Sequence, residues 1–480
     1  MVSNNTFCLF QRHSQIIIRM VRTNLKTNLT SKNTQYFPTS RYFHITTQIP
    51  SNFSLTKQKP LFIPSKLLFT NPYRKLVSPV NVSALALRRN SVKTTTPKTS
   101  MSADTTAIKF TKPIVGYWLL GTAGLVFGIV VFGGLTRLTE SGLSIVEWKP
   151  ITGVIPPLTN AQWNQEFENY KQFPEYKLLN YEMALPEFKY IYFMEWTHRV
   201  WGRAIGLAFI IPATYFGFRG YISKATLNKV IGLGGLLGFQ GVLGWYMVKS
   251  GLSEELMATP NAVPRVSHYR LAAHLGSAFL LYAGMLLTGL QVLQDAKVAN
   301  GTFSKTVAKA LANPAINTFR RFAIGTAALV FLTSMSGALV AGLDAGLIYN
   351  EFPFMGKSIV PPSSELFSKF YARPGDSILW RNFFDNPTTV QFDHRVLGVT
   401  TLSVITTLWL YSRKVPLPPQ VKLAVNHLLG IASLQVILGI GTLIYMVPIP
   451  LASVHQAGSL TLLSAALWLI HTMRRIPIKI

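Results

Sequence analysis

Eight long apolar runs constrain this chain more than any other feature. They lie at about 114–135, 192–218, 228–248, 270–291, 322–342, 395–412, 422–446 and 452–472. Each is close to the roughly 20 residues that carry a helix across a bilayer. Backbone groups in hydrocarbon have no water to bond, so each run is expected to be helical. Composition agrees, with 49% hydrophobic and only 13% charged residues, where a soluble domain carries about a quarter charged. The predicted class is an all-α integral membrane protein with eight transmembrane helices.

Charge placement orients the helices. The segments 219–227, 292–321, 413–421 and 473–480 are basic, through residues such as Arg219, Lys224, Lys305, Arg320, Arg413 and Arg474. The opposite loops, 136–191 and 343–394, are longer and hold most of the acids, including Glu140, Glu147, Glu166, Asp344 and Glu351. The positive-inside rule then places both termini on the basic side. Residues 1–100 contain no Asp or Glu and 15 Lys or Arg, among many Ser, Thr and Asn. That is the composition of a mitochondrial transit segment; an attached basic tail or a nucleic-acid arm is the plainer reading. Arg41-Tyr42-Phe43-His44-Ile45-Thr46 fits a matrix-protease pattern. The basic side is therefore expected to be the matrix. The only cysteine, Cys8, falls in this segment, so a processed chain would have no disulfide, thiolate metal site or cysteine nucleophile.

The chain also reads as a duplication. Gly133, Gly142, Leu143, Glu147 and Trp148 match Gly337, Gly346, Leu347, Glu351 and Phe352 at one offset. His198-Arg199-Val200-x-Gly202 matches His394-Arg395-Val396-x-Gly398. Gln240, Leu243 and Gly244 match Gln435, Leu438 and Gly439, and His274 aligns with His455. Small residues recur in any membrane protein, but these matches keep their order. The predicted arrangement is two tandem, pseudo-symmetric four-helix bundles, a form that holds cofactors between facing helices. The expected organisation is a transit segment 1–100, bundles at 114–291 and 322–472, a matrix linker 292–321, and a matrix tail 473–480.

The repeat singles out His198, His274, His394 and His455 from the seven histidines beyond residue 100. They fall near the acid-rich ends of the second, fourth, sixth and eighth runs. In each half, two histidines on different helices share one depth. That suits bis-histidine ligation of a heme lying between helices. A lone histidine near an interface is usually a polar anchor, whereas two duplicated pairs favour a metal, and an ionisable group within a span is usually functional. A zinc or di-iron site would want further carboxylates or histidines, and only Glu195 stands close. His268 lies six residues before His274, about 240° around a helix, and is expected at a rim. His427 and His471 are expected to be structural.

The halves are unequal. Glu195, one helical turn before His198, aligns with neutral Gln391. A proton-handling group belongs where chemistry happens, so the first half is expected to be the reaction chamber. The plainer reading pairs Glu195 with Arg199 or Arg203.

The segments GGLTRLTESGLSIVEWKPITGVIPP, EFKYIYFMEWTHRVWGR, QGVLGWYMVKSGL, LAAHLG, GLDAGLIYNEFPFMG, FDHRVLG and QVILGIGTL resemble the heme A synthase family in its mitochondrial form, over about residues 114–472. The resemblance implies that heme O is converted to heme A for cytochrome c oxidase. One ring methyl would be oxidised to a formyl by successive O2-dependent hydroxylations. It implies heme b on His394 and His455, the substrate heme on His198 and His274, and Glu195 in catalysis. It also implies the mitochondrial inner membrane and its lipid, heme O synthase as supplier, and a matrix ferredoxin with its reductase as electron source. A homo-oligomer is compatible with it, and no nucleic acid is implied. Some bacterial members carry an outer-loop cysteine pair that this chain lacks. An iron held by two histidines has no position for O2, so His198 or His274 would have to leave during turnover. The rival reading is a diheme b-type electron-transfer protein, such as a quinol oxidoreductase, with two equivalent hemes and no use for Glu195.

Overall fold

The structure, a computed structural model, describes residues 110–255, 263–372, 375 and 377–475. The predicted transit segment and the end of the predicted tail lie outside these residues. The described chain is helical, without a β-strand. The long helices are α1 (Pro113–Leu138), α2 (Leu185–Phe218), α3 (Lys224–Lys249), α4 (His268–Ala299), α5 (Ala315–Gly342), α6 (Pro387–Ser412), α7 (Pro419–Ile444) and α8 (Ile449–Thr472).

Seven of them, all but α6, are long and apolar enough to cross a membrane. At 26 residues α6 is long enough, but Thr400, Thr401, Ser403, Thr406 and Thr407 dilute its apolar run. Ser403, Thr406 and Thr407 donate back to carbonyls four residues earlier, at 2.8–2.9 Å, so their polarity is satisfied within the helix. Outward side chains such as Leu207, Ile211, Ile231, Val242 and Ile437 are exposed, as lipid-facing surfaces would be.

Local chemistry sets where the helices begin and bend. Prolines open α1, α2, α6, α7 and α8 in their first turn, where a missing N–H costs nothing. Asn386 caps α6 by accepting from the Thr388 N–H at 3.0 Å. Pro212 lies inside α2 and leaves the Ala208 carbonyl without its intrahelical donor. The Trp118 indole of α1 fills the gap at 2.8 Å.

Helix α2 begins well before its apolar run. Its added turns bury Phe188, Ile191 and Tyr192 against Trp163, Phe167 and Tyr170, which belong to or adjoin a short helix, Asn160–Lys171. His198 therefore lies further into its helix than the apolar run suggests.

In the first half, α1 packs against α2 and α4, and α3 against α4. In the second, α5 packs against α6 and α8, and α7 against both α6 and α8. Helix α4 meets α5 and α8, and α1 meets α8, over one continuous core that includes Leu119, Phe279, Met285, Phe319 and Leu460. Tyr282 and Ser464 bond across it at 2.8 Å.

The acid-rich end is tied across the halves by two carboxylates. Asp344, at φ 53°, takes Arg137 at 2.5 Å and Arg265 at 2.9 Å. Asp385 accepts from Tyr269 at 2.9 Å, from Arg381 at 2.8 Å and pairs with His268 at 3.0 Å. Burial alone would raise the Asp385 carboxyl, but the bonds from His268, Arg381 and Tyr269 overcome it and hold the group well below the usual range. His268, expected at a rim, thus opens α4 and anchors it to the second half's loop.

Candidate heme-binding site

The histidines selected by the repeat all meet a glycine of the neighbouring helix. A Cβ at Gly133 of α1 would lie 3.0 Å from His198 Nε2, and one at Gly337 of α5 3.1 Å from His394 Cε1. At Gly244 of α3 it would lie 3.2 Å from His274, and at Gly439 of α7 2.8 Å from His455. A methyl at Gly439 would force a shift, and one at any of the other three would press on the ring. Both glycine pairs stood in the repeat as matches without a reason, and making room for an imidazole is the reason. His198 and His274 lie within electrostatic reach of each other, as do His394 and His455. Each of the four residues keeps a small exposed part.

A second repeated contact holds the other helix pair. Gln240 Nε2 donates to Ser277 at 2.7 Å and reaches the His274 carbonyl at 3.5 Å. Gln435 Nε2 donates to the His455 carbonyl at 2.8 Å. The Nδ1 atoms of His274 and His455 are buried without a hydrogen-bond partner among the described residues, although the Gln435 carbonyl lies near the latter without bonding geometry.

Glu195 and Gln391 occupy equivalent places with opposite polarity. Both are buried. Glu195 accepts from Ser144 Oγ at 2.7 Å, from the Ile145 N–H at 2.8 Å, and from Arg199 at 2.6 and 3.0 Å. The plainer pairing with Arg199 is therefore present. Gln391 instead donates to the carbonyls of Ala345 and Ile348 and accepts from Arg395 at 3.1 Å. The two arginines match closely: Arg199 donates to the Ile145 carbonyl at 2.9 Å, and Arg395 to that of Tyr349 at 2.6 Å. Beside Arg199, a small cleft is lined by Lys149, Glu166, Tyr192 and Arg203.

Sequence reasoning missed a second acid near this point. Glu175 is buried and accepts from Tyr170 Oη at 3.0 Å, which in turn accepts from Asn180 at 2.8 Å. Burial pushes its carboxyl from 4.5 up to about 8, helped by Glu195 and Glu140 and opposed by Tyr170 and Arg137. A raised acid favours the protonated folded state. Its stabilisation is complete below pH 4.5 and is lost as pH rises through about 8. Glu175→Gln, which keeps the neutral form, should remove that loss, on the order of a few kcal/mol at alkaline pH. Thermal melts from about pH 5 to 9 check this: parallel curves for the two proteins would contradict it.

Comparison with known proteins places this geometry. The profile of a family described as cytochrome oxidase assembly protein matches residues 116–467. The chain is 50% identical over 369 residues to heme A synthase COX15 of Bos taurus, covering 77% of this chain and 84% of that protein. The chain belongs to the mitochondrial heme A synthase family. To heme A synthase COX15 of Saccharomyces cerevisiae it is 48% identical, over 75% of each protein. To a heme A synthase-mitochondrial ferredoxin fusion protein of Schizosaccharomyces pombe it is 50% identical, over 74% of this chain and 59% of that one. Family membership makes the chain an enzyme, an oxidoreductase of heme A synthesis.

The donor set suits a heme. It offers four imidazoles, each beside a glycine of the neighbouring helix, and buried Nδ1 atoms left over on His274 and His455. Among the described residues there is no cluster of three or more His, Cys, Asp or Glu that could hold a bare metal ion.

Proposed function

We propose that this chain oxidises a methyl group of heme O to the formyl group of heme A by successive O2-dependent hydroxylations. His198 and His274 hold the substrate, with Glu195 beside them; His394 and His455 hold a resident heme b. The observation that carries this reading is the inversion between Glu195 and Gln391. Two repeat-related sites differ where one has an ionisable carboxylate and the other an amide. A pair of equivalent electron-transfer hemes gives no reason for that difference.

Eight spans in two four-helix bundles suit this division. The packing repeats in both halves, and the bonded hydroxyls of α6 let it cross with the other helices. The bundles are residues 114–291 and 322–472, joined by the linker 292–321. Both termini face the matrix across the inner mitochondrial membrane, as the basic loops favour.

A bound heme b would supply electrons to the first site. Glu195 sits one turn from His198, its charge balanced by Arg199, and can take or return a proton at a carboxylate oxygen as the methyl carbon is oxidised. Arg199 and Arg203 place positive charge at the adjoining cleft. The fused ferredoxin of the fission yeast relative supports a ferredoxin as electron source, and heme O synthase is the matching supplier.

Pigment extraction from purified protein tests the reading. Heme O or heme A beside heme b is the expected result. Heme b alone, at two per chain, would favour the electron-transfer rival.

A further inference from the structure

The two histidines that follow the acid–amide position are held differently. His394 Nδ1 lies 2.7 Å from Ser336 Oγ on α5. That hydroxyl has one proton, and it goes to the Thr333 carbonyl at 2.8 Å. Toward His394 the hydroxyl is therefore an acceptor, and the Thr333 carbonyl also lies beside the ring as an acceptor. With the hydroxyl proton on the Thr333 carbonyl, both neighbours favour the proton on Nδ1, which leaves the Nε2 lone pair free for a metal. A ligand tethered through its second nitrogen keeps its tautomer and its ring plane.

The first half lacks this tether. The constant offset that pairs Gly133 with Gly337 pairs Phe132 with Ser336. Phe132 packs its ring on Trp201 of α2, with centroids 5.9 Å apart. His198 has no hydrogen-bond partner among the described residues. Its ring is also turned differently: Nε2 is the atom nearest Gly133, whereas His394 presents Cε1 to Gly337.

We propose that Ser336 is a positioning residue that fixes His394 as a permanent iron ligand, and that Phe132 in its place leaves His198 as the ligand free to swing away from the substrate heme. This rests on the reading of the two sites given above. It names the chain's own difference at one ligand of each iron: a hydroxyl on one helix, and a phenyl ring on its equivalent.

Carbon monoxide binding to the reduced, heme-loaded full chain in detergent tests it, alongside low-temperature EPR of the oxidised form. Expected for Ser336→Ala are altered g-values for heme b, CO binding at a heme that rejects it in the parent, and heme b affinity lower by about 10–100-fold. Ser336→Thr should restore the parent behaviour. Phe132→Ser should slow CO binding at the first-half heme. The proposal is overturned if Ser336→Ala keeps the parent's g-values and still excludes CO, or if Phe132→Ser leaves CO binding unchanged. His394→Ala separates the two levels. If it loses one heme while Ser336→Ala is silent, only the tether fails; if heme content does not change, the site assignment falls and the tether with it.

Discussion

Gly439→Val is expected to empty the second-half heme site, and Gly133→Val the first. Even an alanine Cβ would lie 2.8 Å from His455 and 3.0 Å from His198, and valine adds two methyls beyond that point. The imidazole must move, because its ring atoms are the atoms that a side chain at either glycine would meet. Overpacking of this kind costs typically about 1–3 kcal/mol. Most of that cost should appear as lost ligation, since the ring is the group that the new methyls displace. Heme retention should fall about 10–100-fold, at one site per variant, measured as pigment per chain after purification. Gly430→Ala is the control: no atom lies within 4 Å of a Cβ there, and alanine should stabilise the helix by up to about 1 kcal/mol. Equal heme loss in the control and the valine variants would mean that glycine spacing has nothing to do with the hemes.

Exchanging the acid and the amide should be as damaging as either glycine change. Glu195→Gln turns an amide NH2 toward a site whose Ser144 hydroxyl and Ile145 N–H both donate, and it strips Arg199 of its counter-charge. Removing one partner of a buried ion pair costs about 3–5 kcal/mol. Gln391→Glu aims a carboxylate at the carbonyls of Ala345 and Ile348, which offer it no proton. For Glu195→Gln we expect heme b retained and heme A output lost; for Gln391→Glu, heme b retention reduced. Glu195→Asp keeps the charge with a shorter reach and should retain part of the output. Full heme A output from Glu195→Gln would remove Glu195 from the mechanism and leave it as Arg199's partner alone.

Much of this was legible in the residues. Apolar length identified the helices, and seven are apolar enough to span, the exception being threonine-rich α6. The repeat also selected the histidines, and each of the four lies against a glycine of the neighbouring helix. The helix extensions were less legible. The early turns of α2 read as polar because their apolar side chains face Trp163, Phe167 and Tyr170 rather than lipid. Glu175 was invisible for a related reason: an acid in a loop reads as solvated until the loop is seen to bury it.

The sequence by itself determined which segments are helical, which histidines are equivalent, and that the halves differ at Glu195 and Gln391. These depend on composition and on spacing along one chain. Only the tertiary structure decided what each group meets: glycine against each of the four repeated histidines, Ser144 and Ile145 against Glu195, and a hydroxyl at His394 where His198 has none. Those contacts join different helices, or a helix and a loop, and depend on the rotation and depth at which helices pack. Spacing along one helix fixes neither.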